Sequence, residues 1–167
     1  ERGRVWAMAG RGKEAGELWE RGLADEPAAG SPGRIMLGSL AGRAALRAGD
    51  LERAARHLAA CDDWLARRNA PYPAALTEQL RAEIALAQNR VREGVDHARK
   101  AIAALDSLPA PADRAQAALE FARIALAAGK DGRVPVGGWL DDAAATFERL
   151  GDRRSRERGL TVMVEWL

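Results

Sequence analysis

Apolar and small side chains recur at steps of three and four on either side of Gly49-Asp50. Leu37, Leu40, Ala41, Ala44, Ala45 and Ala48 share one face of a helix. Leu51, Ala54, Ala55, Leu58, Cys61 and Leu65 share one face of the next. Most of these side chains are small, so the faces suit close helix–helix packing rather than a wide core. Gly49 stops a helix because it accepts left-handed backbone at no steric cost. Asp50 can cap the following helix by accepting from its free amides. The pattern predicts a helical hairpin over 35–65, with apolar surface left open for neighbours.

The pattern repeats. The set Gly42, Ala45, Gly49, Ala54, Leu58 and Cys61 has counterparts about 40 residues on, in Ala82, Ala85, Asn89, Gly94, Ala98 and Ala101. Ala122, Ala125 and Gly129 continue it, and Gly3, Trp6, Gly10, Ala15, Trp19 and Gly22 precede it. The expected fold is all-α: a right-handed superhelical solenoid of about four helix-turn-helix repeats plus a C-terminal helix. The expected repeats are 1–30, 31–70, 71–108 and 109–151, with a final helix over 152–167. An irregular helical bundle is the competing arrangement.

Local signals mark the element ends. Ser31-Pro32 opens a helix with a hydroxyl cap and Pro at its first position. Pro71-Tyr72-Pro73 separates hairpins two and three, and the helices of hairpin three are expected at 73–88 and 90–106. Pro109 and Pro111 precede a helix over 111–128. A Gly- and Pro-rich insertion over 130–138 then reads as an exposed loop, with helix resuming near Trp139 and a core face of Ala143, Phe147 and Leu150. Gly151-Asp152 caps a last helix rich in apolar residues on several sides. Residues 1–9 read as the back half of a helix, and the chain opens without Met, so a piece of a larger protein is expected.

Gly3, Trp6, Gly10, Ala15, Trp19, Gly22 and Pro27 resemble the tetratricopeptide signature: small residue and aromatic, Gly at the turn, then Ala, a bulky residue, a small residue and a closing Pro. The later copies keep the small residues, and their period is about six longer than the usual ~34. Long, degenerate repeats of this kind are similar to those of bacterial signalling proteins and maltose-regulator-type transcription activators. The resemblance implies a protein-interaction or regulatory scaffold in a bacterial multidomain protein.

Charge and composition narrow this only modestly. The formal net charge is +2, too small to argue for direct nucleic-acid contact. No apolar run approaches the length of a membrane span, and no signal peptide is evident. The single Cys61 sits on an apolar helix face and reads as a packing residue, consistent with a reducing cytoplasm. Abundant Arg, Ala and Gly match a GC-rich genome.

No chemistry is expected. His57 and His97 lie one repeat apart, roughly 10 Å by helix spacing, too far to share a metal. Asp62-Asp63 and Asp141-Asp142 are adjacent pairs whose side chains diverge around a helix. Neither GxSxG nor a phosphate loop is present, so no catalytic residue, cofactor or metal is assigned.

The first helices of such repeats line a groove. One residue past each small position stand Arg4, Arg43, Glu83 and Arg123; Arg47 lies a turn on, and Arg156 joins from the last helix. This set predicts a partly basic groove for a peptide or domain, acidic in character. Places where chaperone-clamping tetratricopeptides hold Lys and Asn carry Ser39, Gln79 and Leu119, which argues against that clamp. The alternative is a small-ligand sensor like that of the maltose-type regulators. Trp6, Trp19, Trp64, Trp139 and Trp166 at mostly core positions count against sugar stacking. Self-association through the chain ends is a third reading.

Overall fold

A computed structural model describes residues 12–25, 31–127 and 136–166. Among these are eight helices and no strand. They are α1 (Gly12–Asp25), α2 (Pro32–Arg47), α3 (Leu51–Leu65), α4 (Pro71–Ala87), α5 (Val91–Asp106), α6 (Pro111–Ala127), α7 (Val136–Arg149) and α8 (Arg153–Trp166). The chain divides into two units, residues 1–84 and 85–167, with the boundary inside α4.

Three turns share one construction. Gly49, Asn89 and Gly151 adopt positive φ of 80°, 64° and 67°. In each, the residue after the left-handed one donates its N–H five residues back: Asp50 to Ala45, Arg90 to Ala85, and Asp152 to Phe147, at 2.9, 2.9 and 3.0 Å. The left-handed residue itself donates three residues back. This is the Schellman closure, which satisfies the last carbonyls of one helix while reversing the chain. Asp50 and Asp152 then cap the next helix, accepting from the amides of Arg53 at 2.9 Å and Ser155 at 3.0 Å. Arg90 has no side-chain cap bond and instead pairs with Glu93. Ser31 accepts from the Arg34 amide at 3.1 Å, as its hydroxyl predicts.

In the first unit, α1 packs on α2 and α2 on α3. Ala15, Trp19, Ala41 and Ala44 form one buried cluster, and Ala45, Ala54, Leu80 and Ile84 a second. Gly42 is where α2, α3 and α4 come closest: an added Cβ would lie 2.7 Å from Leu80 Cδ2 and 3.1 Å from His57 Cβ. Arg81 of α4 clips back to Asp62 of α3 and to Glu78 on its own helix. Burial alone lowers the Arg81 pKa, but these two carboxylates outweigh it and raise the value.

In the second unit, α6 packs on α5 and α7, and α8 on both α6 and α7. Its interior includes Ala115, Ala118, Phe121, Ala122, Trp139, Leu140 and Phe147. The Phe121 and Trp139 rings meet at 5.8 Å in a tilted pair. Arg114 bridges Asp106 of α5 and Asp142 of α7.

Two helix starts and one core assignment differ from expectation. Helix α4 begins at Pro71, two residues earlier than expected, because Pro is well placed at a first helical position. Helix α7 begins at Val136, so 136–138 are helix and not loop; buried Val136, Trp139 and Leu140 anchor its first turn despite Gly137-Gly138. The rest of the expected insertion lies outside the described residues. Leu150, expected in the core, is 48% exposed at the helix end. Leu160 on α8 is 46% exposed, whereas Val162 is buried.

Both the tight packing and the caps can be tested by substitution. A Cβ on Gly94 would lie 2.6 Å from Leu86 Cγ and 3.2 Å from the Leu86 backbone nitrogen. Gly94→Ala should therefore destabilise by about 1–3 kcal/mol in urea melts, despite its gain in helix propensity. The Asp152 carboxylate is held below its ordinary 3.8 by hydrogen bonds from the Ser155 side chain and backbone. A depressed carboxylate contributes stability that is present above the unfolded value and lost as pH falls through the folded one. Denaturation between pH ~5 and ~3 should thus show a smaller acid-induced loss for Asp152→Asn than for the native chain.

Candidate functional site

The predicted groove residues fall into three situations. Arg4 lies outside the described residues. Arg43 and Glu83 are internal: Glu83 is 1% exposed, and Arg43 Nε lies 2.7 Å from its carboxylate. With its amide oxygen turned inward, Gln79 accepts from both terminal nitrogens of Arg43 at 3.1 and 3.3 Å. Glu83 is thus the counter-ion of Arg43 and has no surface to offer a partner. The third group, Arg47, Arg123 and Arg156, is exposed. Arg123 pairs with Glu120 at 3.0 Å and Arg156 with Glu148 at 3.5 Å. Arg43 and Arg47 belong to the first unit, and Arg123 and Arg156 to the second.

The Arg43–Glu83 pair sits among other buried polar groups. Ser39, Thr77 and Gln79 are at most 3% exposed. Thr77 donates to the Pro73 carbonyl at 2.9 Å. Ser39 Oγ and Cys61 Sγ lie 3.6 Å apart. Burial pushes the Cys61 thiol pKa up, and hydrogen bonds with Ser39 and Thr77 only partly oppose it. Cys61 is therefore a protonated packing group, not a nucleophile.

The histidines are held by glutamates. His57 Nε2 lies 2.8 Å from Glu20 Oε1, which Arg53 also engages at 3.0 Å, tying α1 to α3. His97 Nε2 lies 3.9 Å from Glu93 on its own helix. Among the described residues no group of three or more metal-ligating side chains converges.

The sequence reading missed a cleft of about 380 Å³ between α1, α2 and α3 of the first unit. Leu23 of α1, Arg34, Ile35 and Gly38 of α2, and His57, Ala60, Cys61, Asp63 and Trp64 of α3 line it, with Arg67 and Arg68 just beyond α3. Its lining combines apolar side chains with charged ones that are mostly cationic. Arg68 stacks over the Trp64 ring at 4.7 Å and donates to the Trp64 carbonyl at 3.5 Å. Arg34 donates from Nη1 to the Leu23 carbonyl at 3.0 Å. Arg67 and Asp63 form an exposed pair at 3.5 Å. The Trp64 indole N–H is buried without an acceptor among the described residues, an arrangement that costs about 1–3 kcal/mol. Trp19, Trp64 and Trp139 are all at least nine-tenths buried, as the repeat register predicts.

No protein-family model matches the chain, and no curated protein matches it. The fold does match solved structures. A Podosopora anserina candidate kinesin light chain with nearly identical TPR-like repeats superposes with a TM-score of 0.57 at 18% identity, over 99% of this chain and 92% of that one. A single-substitution variant of that protein gives 0.56 at 19%, over 99% and 91%. The chain is all-α among the described residues and shares the fold of tetratricopeptide-like helical repeats. No helix among the described residues is long and apolar enough to cross a membrane.

The buried ion pair yields a stability prediction. Glu83→Ala should destabilise by about 3 kcal/mol, because it strands the Arg43 charge in a mostly buried site. Arg43→Met/Glu83→Leu together should lose much less than the two single changes summed, since no uncompensated charge remains. Guanidinium melts of the four-member cycle measure both quantities.

Proposed function

We propose that this chain is a non-catalytic protein-interaction scaffold within a bacterial, cytoplasmic signalling or transcription-regulatory protein. It takes an acidic peptide or domain on the exposed faces of its first helices. The observation that carries this reading is the tetratricopeptide-like fold, matched over nearly the whole chain. Exposed Arg47 in the first unit and exposed Arg123 in the second each supply recognition charge on a first helix of their own unit. Arg123 is held in a pair with Glu120, which a partner carboxylate can replace at little cost. Arg156 on the last helix is a further exposed arginine of the second unit. Arg43 and Glu83 are excluded by burial, and their role is to hold α2 against α4.

The test is affinity capture from a GC-rich bacterial lysate with the native chain beside Arg47→Glu/Arg123→Glu. Both positions are exposed, so the variant should stay folded, with at most a small fall in melting temperature from the lost surface pairing. A discrete protein retained by the native chain and reduced about tenfold or more by the variant is the expected result. Equal retention by both would remove the first-helix arginines from the reading.

A further inference from the structure

We propose that the cleft between α1, α2 and α3 is a binding site for a small carboxylate ligand carrying an apolar ring or chain. This goes beyond the scaffold reading and does not depend on it, because none of Arg47, Arg123 and Arg156 lines the cleft.

Three independent features converge on this chemistry. The volume, about 380 Å³, is that of a small-molecule site. Leu23, Ile35, Ala60 and Trp64 give the lining apolar surface that suits an apolar body. The lining supplies three guanidiniums, from Arg34, Arg67 and Arg68, against the single carboxylate of Asp63. Asp63 is matched by Arg67 in an exposed pair at 3.5 Å. Arg68 has no carboxylate partner among the described residues; its guanidinium lies over the Trp64 ring, 4.7 Å from the centroid, and lines the cleft. Arg34 is fixed there by its bond to the Leu23 carbonyl. A guanidinium positioned in this way recognises a carboxylate with direction as well as charge.

The indole of Trp64 gives the site a local reporter. Trp64 lines the cleft, and its N–H is buried with no acceptor among the described residues, so a ligand seated against this side chain changes the surroundings of that donor. His57 stands on the same wall, its Nε2 occupied by Glu20, and so contributes shape and not the primary charge.

The probe is 3-phenylpropionate, with 3-phenylpropanol as the uncharged control. The readout is the Trp64 indole cross-peak in a proton–nitrogen correlation spectrum, assigned by its loss in Trp64→Phe. Phenylpropionate should shift this peak saturably with a Kd on the order of 1 mM, and phenylpropanol should bind about tenfold more weakly. Arg68→Gln, which removes charge and keeps length, should weaken the acid about tenfold and leave the alcohol unchanged. Ala60→Phe, at an exposed position lining the cleft, should abolish both by filling the space. No saturable shift at about 20 mM acid overturns the site. Equal response to acid and alcohol, or a response that survives both variants, overturns the carboxylate assignment.

Discussion

The structure depends on one backbone constraint: each tight hairpin reverses through a single left-handed residue. Gly49, Asn89 and Gly151 meet it without β-branching or bulk. Because the reversal is so short, the second helix of the pair has little freedom in angle or register. Two aspartates do double work at these turns. Asp50 and Asp152 donate their backbone amides to close the first helix and use their side chains to open the second. One residue thus satisfies orphan groups on two helices. Arg90 does only the first of these, so its turn relies on backbone closure and on local pairing with Glu93.

Short turns bring helix axes close, and closeness dictates composition. Ala and Gly dominate the facing surfaces because larger side chains would hold the helices apart. Gly42 and Gly94 mark where the spacing is tightest. This is why so much of the architecture can be read from residue order. Ser31-Pro32, Gly49-Asp50 and Gly151-Asp152 announce their helix ends through local chemistry, and the structure places the ends there. Where tertiary burial overrides local preference, the sequence misleads. Gly137-Gly138 looks like loop, yet burial of Val136 and Trp139 draws both into α7. An added Cβ on Gly138 would meet nothing, so no local packing requires glycine there.

The candidate site was readable in kind but not in depth. Arg43 and Glu83 occupy one register position, a single period apart. Residues related by one period of a stacked repeat are neighbours across the helix pair, so an arginine and a glutamate there neutralise each other. The same reasoning that aligned the alanines could have paired these charges, and burial then follows from the small residues beside them. Arg123 and Arg156 show a milder version, each held by a glutamate in an exposed pair that contributes little to stability. Charge counts along a helix therefore overstate the field a repeat presents. What a partner meets is the exposed remainder after pairing within and between helices.

The cleft could not be read from periodicity, because no single helix forms it. It exists where α1, α2 and α3 meet beside small residues that let α2 and α3 approach closely. Gly38 brings α2 to within 3.3 Å, from a notional Cβ, of the Cys61 sulfur, and Ala60 adds no bulk beside it. The cations around it have a separate cause. Helix α3 ends at Leu65, and its last carbonyls need donors. Arg68 supplies one to Trp64, and positive charge is favoured at that end of a helix dipole. Two demands that are each ordinary, tight packing along the helices and a cationic finish at a C-terminus, meet at one place. Their overlap leaves an apolar hollow edged by guanidiniums, a chemical character that neither demand specifies alone.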